Sequence, residues 1–384
     1  MNFNINTLGQ RNTADTARNT EMGILTGIAM LLVVLGHLDM NELSVFGLFP
    51  YYSFHVMVFM FVSGYFYSSA EEDAPLRYIG RKARRLLAPY FIWNLVYGVV
   101  SEILYRNGFL FCSPITVKNL FIEPFLGGHQ FGLNFASWFV PALFITETVN
   151  ILARRLIAVI GLNDDRLRIV HIDRDILVFA SSLVLGIITV WLSQGSHVWG
   201  LYKTPGRILF MLPVYELGVL YRSHLERAER RIPDIWCMAG LCLIQMIIYI
   251  AAGGRLNFSA VWVTSFAGSP ILPYLTTVTG TWFWLRVSRM LKGTAPGRAA
   301  DMMGRYSFHI MMHHVAVFYL INLIMLGVSA HTAFAPAFDM TAFHSDVVYT
   351  CLPMDMYIWK NIFWAAGIAV PVCIARLADR VIHR

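Results

Sequence analysis

The chain has 384 residues, 57% of them hydrophobic and only 14% charged, with a mean hydropathy of +0.57. A soluble domain carries about a quarter charged residues, and here the apolar excess runs along almost the whole length, which excludes a soluble enzyme held by one anchor. The net charge of +7 argues less for a nucleic-acid partner than for Lys- and Arg-rich loops on one face of a membrane.

The composition therefore predicts an all-α polytopic membrane protein, with the lipid bilayer and no nucleic acid as partner. The first 21 residues are polar. A signal peptide would reach its apolar core sooner, so residues 1–21 read as a cytoplasmic segment before a retained helix. A spanning helix needs about 20 mostly apolar residues. About ten segments qualify: 22–40, 51–69, 86–105, 137–157, 176–193, 206–221, 235–252, 268–286, 306–327 and 357–376. The sixth is short, and the eighth holds Pro270 and Pro273. With no internal repeat, residues 22–376 form one transmembrane domain and 377–384 a short tail. Alternate connecting segments hold 24 of the 30 Lys and Arg residues. The positive-inside bias then places both termini in the cytoplasm, and His37 about one turn from the outer end of the first helix.

Ionisable groups at membrane depth are costly and are functional candidates by default. His37 closes the apolar run LLVVLGHLDM, and His55 opens the second span, FHVMVFMFVSGYFY, at the same outer face. Glu147 lies about ten residues into the fourth span. The ninth begins GRYSFHIMMHHV, with Ser307, His309, His313 and His314 in two turns. His309 and His313 stand four apart, as in HExxH helices, but the glutamate is missing, so no metal is expected. No GxSxG elbow is present for a serine triad. Cys112 and Cys351 fall in loops placed outside, where a disulfide is chemically allowed. An imidazole that titrates near neutral pH suits a general base acting on a hydroxyl, or a proton relay.

GIAMLLVVLGH, FHVMVFMFVSGYFY, RKARRLLAPYFIW, WFVPALF and GRYSFHIMMHH, in this order from about residue 20 to 376, resemble the membrane-bound acyltransferase-3 family. The nearest type is the bacterial O-acetylase of exopolysaccharide and O-antigen sugars. The resemblance implies a ten-helix core in the bacterial inner membrane that uses cytoplasmic acetyl-CoA, with succinyl-CoA as the alternative donor, to esterify a saccharide hydroxyl. It implies catalytic roles for His37, His55 and Glu147, and matches Ser63, Gly64, Pro89 and Pro141 to the motifs. Trp138 and Phe139 fall on the saccharide side. Many members have a basic residue eleven positions before the catalytic histidine. This chain has Thr26 there, so Arg84, Arg85 and Arg305 are the cations expected at the donor, with Ser307 and His313 of the ninth motif. Polysaccharide-assembly proteins are further candidate partners. The rival reading is a transporter of lipid-linked sugars or small acids, for which the missing internal repeat is unfavourable. A non-catalytic partner in an export complex is a third.

Overall fold

The computed structural model describes residues 19–40, 45, 47–128, 131–160, 173–260, 268–332 and 338–382. The polar segment up to residue 18, most of the loop between Arg154 and Arg174, and the chain end at Arg384 lie outside the described residues. Each of the ten predicted spans contains a helix. In chain order these are α1 (Thr20–Gly36), α2 (His55–Tyr65), α3 (Pro75–Arg106), α4 (Phe139–Val159), α5 (Arg174–Gln194), α6 (Lys203–Leu220), α7 (Asp234–Ala251) and α8 (Leu272–Met290). A polar helix, α9 (Ala295–Arg305), precedes α10 (Ser307–His331) and α11 (Lys360–Ile382).

Length and composition suit six helices to crossing a bilayer: α3, α4, α5, α7, α10 and α11. The sequence predicts about ten. The difference lies in α1 and α2, which are apolar but short, and in α6 and α8, which carry charge. Glu216 and Arg286 are buried and paired. Glu216 of α6 binds the fully buried Arg154 of α4, which also holds Asp175 at 2.7 Å. Arg286 of α8 reaches Asp234 at 2.7 Å and also binds Glu229. Such pairs keep full charges out of contact with hydrocarbon, where either partner alone would be expensive.

Helix α1 is the hub, packing against α2, α8, α9, α10 and α11. Asn19 caps its start, its Oδ1 accepting from the Met22 N–H at 3.2 Å. The first half of α1 carries Gly23 and Gly27, and α9 carries Ala300 and Gly304, two small-xxx-small pairs that let backbones touch. A Cβ on Gly27 would sit 1.9 Å from the Ala300 carbonyl oxygen, closer than any atoms can stand. The variant Gly27→Val is therefore expected to lose more than about 2 kcal/mol of stability. Thermal unfolding in detergent checks this, and an unchanged midpoint would refute the packing. Gly64 and Gly218 bring α2 and α6 together in the same way, each Cβ position falling about 2 Å from a carbonyl oxygen of the other helix.

In α3 the chain widens into one π-helical turn at Ala83–Leu87. Pro89 lacks the N–H that would bond the Arg85 carbonyl, and the helix adjusts there. Cys112 and Cys351, which the sequence allows to form a disulfide, are separate buried thiols.

Candidate active site

Thr26, Met30, Val33 and His37 stand at i, i+4, i+7 and i+11 of α1, which is one face of a 3.6-residue helix. All four line internal cavities. About 16 Å of helix rise separates Thr26 from His37. The face runs past two chambers. The first, here the basic chamber, is lined by Thr26, Ser63, Lys82, Arg85, Glu147 and Ser307 among apolar side chains. The second, the histidine chamber, is lined by His37, His55, Tyr52, Trp138 and Ser259 among apolar side chains.

Helix α10 runs alongside with a matching face. Ser307 and Met311 line the basic chamber, Met311 also lines the histidine chamber, and His314, three residues on, lies against His37.

His37 is the C-cap of α1. Its ring meets the edge of Phe135, from the 3-10 segment Gly132–Trp138, at 4.8 Å between centroids and 82°. It also stacks on His314 at 5.1 Å and 25°. His314 is fully buried, and its Nδ1–H donates to the Ile310 carbonyl at 2.7 Å. His55 is buried too, and its Nδ1–H donates to the Tyr51 carbonyl at 2.5 Å. In a neutral ring each bond fixes the tautomer and leaves Nε2 as an acceptor.

In the basic chamber Lys82 Nζ and Glu147 Oε1 are 2.6 Å apart, with side chains only 7% and 2% exposed. Arg85 adds a guanidinium whose buried Nη2 has no hydrogen-bond partner among the described residues. Cations at one end of the α1 face and an imidazole at the other are chemically suited to an anionic ligand and a base. Sequence comparison agrees: the acyltransferase domain of the acyltransferase-3 family matches residues 19–375. The chain belongs to the acyltransferase-3 family. No curated protein and no solved structure matches it.

For an acyltransferase of this family, the structure sorts the residues expected from sequence. His37, His55, Trp138 and Phe139 line one chamber, and Phe139 lines the other as well. Glu147 does not join them; it lines the other chamber against Lys82. Of the expected donor residues, Thr26, Arg85 and Ser307 line the basic chamber. Thr26 turns its hydroxyl to the Met22 carbonyl at 2.7 Å. Arg84 is exposed, and Arg305, 57% exposed, pairs with Asp301 at 3.3 Å. His313 points to α3, where it shares a 2.8 Å hydrogen bond with Tyr97 and meets Trp93 edge-on.

Two residues at the chambers were not among those assigned to the site from sequence. His314, not His313, continues the face of Ser307 and Met311, because seven residues return almost to the starting direction of a helix and six do not. Lys82 stands three before Arg85 in RKARR, on the same face. Several other cations of the basic loops are paired with carboxylates: Arg174 with Glu72, Arg230 with Glu21, and Arg289 with Glu21 and Glu229.

Proposed function

We propose that this acyltransferase is an O-acetyltransferase of the bacterial inner membrane. It would move an acetyl group from cytoplasmic acetyl-CoA to a hydroxyl of a cell-surface or secreted polysaccharide, or of its lipid-linked precursor. One observation carries the reading: a single face of α1 joins a cation-lined chamber at Thr26 to a chamber containing an oriented histidine at His37. The positive-inside bias puts both termini and the basic chamber on the cytoplasmic side, and His37 towards the outer face.

The residues suit the donor. Lys82 and Arg85 offer charge-assisted hydrogen bonds to phosphate oxygens, and the Arg85 Nη2, unpartnered among the described residues, gains a partner when an anion arrives. The rise of about 16 Å between Thr26 and His37 is of the length that a thin pantetheine arm spans. At the far end, His37 takes the proton of the acceptor hydroxyl. The hydroxyl oxygen attacks the thioester carbonyl, the new C–O ester bond forms, and the C–S bond breaks. The proton then passes from His37 to the departing thiolate, so the imidazole ends neutral as it began. Trp138 and Tyr52 present aromatic surfaces on which a sugar ring can stack.

The test is chemical. Glycans of cells with and without the gene are compared by mass spectrometry, and loss of one acetyl increment per repeat is expected. Identical glycans, together with transport of an unmodified solute by the purified protein, would favour the transporter reading.

A further inference from the structure

The two chambers have four lining residues in common: Met30 of α1, Phe59 of α2, Phe139 of α4 and Met311 of α10. One comes from each of four helices, and together they stand between the two chambers. None has a charged or hydrogen-bonding side chain beyond a weak thioether acceptor. Met30 is 2% exposed, Phe139 and Met311 are 8% exposed, and Phe59 stands 5.6 Å from Phe139 between ring centroids. Beyond this neck, none of the described residues that line the histidine chamber is Lys, Arg, Asp or Glu. Arg207, which stacks on Trp138 at 4.9 Å, does not line it.

We infer that Met30, Phe59, Phe139 and Met311 form an apolar neck that sets donor specificity, passing a small uncharged acyl group and rejecting one that carries a carboxylate. The inference rests on the proposed function, in which the donor's phosphates stay in the basic chamber while its acyl end leads through the neck to His37. An acetyl group crosses with no charge to desolvate. A succinyl group must take its carboxylate through four apolar side chains at membrane depth into a chamber without a cation, and a lone charge there is strongly disfavoured. A bulky acyl group meets the same four side chains as a steric stop. The discrimination falls on the step that follows binding, because phosphate recognition is the same for every CoA thioester. Acetyl is thereby preferred to succinyl by the chain's own residues.

The experiment uses the full-length protein in native membranes that retain the polysaccharide, supplied with radiolabelled acetyl-, succinyl- or benzoyl-CoA. Wild type is expected to transfer acetyl at least about a hundredfold faster than succinyl, with similar KM for the two donors. Met30→Gln and Met311→Gln, on different helices, are expected to raise the succinyl-to-acetyl ratio at least about tenfold. Met311→Ala is expected to admit benzoyl, and Met311→Leu, which keeps volume and polarity, to leave the profile unchanged. Comparable succinyl and acetyl rates in wild type would overturn the neck, as would an unchanged ratio in both glutamine variants. No transfer from any donor by wild type would instead overturn the proposed function on which the neck depends.

Discussion

Replacing His37 with alanine is expected to leave a folded membrane protein that has lost acyl transfer. A positioned general base contributes a hundredfold to ten-thousandfold, on the order of 3 to 5 kcal/mol of barrier. His37 ends the α1 face that lines both chambers, whereas His55 and His314 are held by Nδ1–H bonds to backbone carbonyls of their own segments, and His313 faces Tyr97. The fold is expected to survive because His37 is a half-buried cap at the end of α1, where its ring contacts with Phe135 and His314 are worth about 1 kcal/mol each. The measurement is labelled acetyl transfer by purified wild type and variant, with elution volume and helicity compared in the same detergent. A variant that elutes and melts like wild type yet keeps a near-normal rate would remove His37 from the chemistry.

The second large effect concerns Lys82 and Glu147. Removing one member of a buried ion pair leaves the other charge uncompensated, at about 3 to 5 kcal/mol. Lys82→Met and Glu147→Gln are each expected to lower the melting temperature steeply. The double variant is expected to recover most of that loss, because two neutral side chains of similar size can pack where the charges were. It should not recover donor use: without the Lys82 ammonium, the KM for acetyl-CoA is expected to rise about tenfold or more. Recovery of stability together with normal KM would mean that the pair only holds α3 to α4. Failure to recover stability would mean that the coupling is not pairwise.

These two sites show unequal legibility in the sequence. His37 was readable because a histidine at the end of an apolar run is costly wherever the chain goes, and its place in the helix follows from local spacing. Glu147 was readable as a buried charge, but its partner was not. Lys82 is 65 residues away, and nothing in either segment shows that the two faces meet. The same limit applies to Arg84 and Arg305, expected from sequence at the donor. Their charge is evident in the sequence, but whether a side chain enters a cavity or stays exposed is decided by the helix packed opposite. His314 is a different case, since the spacing from Ser307 already favours it over the adjacent His313.

By itself the sequence determined the membrane class, the ten helical segments and the histidine at the end of the first. These follow from hydropathy and helical period, which are properties of consecutive residues. The tertiary structure decided which residues share a chamber, which loop cations are already paired and where the apolar neck lies. Those depend on contacts between segments as far apart as Glu21 and Arg289, 268 positions along the chain. Such contacts arise only when helices meet face to face, through close approaches such as Gly27 against Ala300. A local pattern gives each helix a face, and packing alone determines what that face meets.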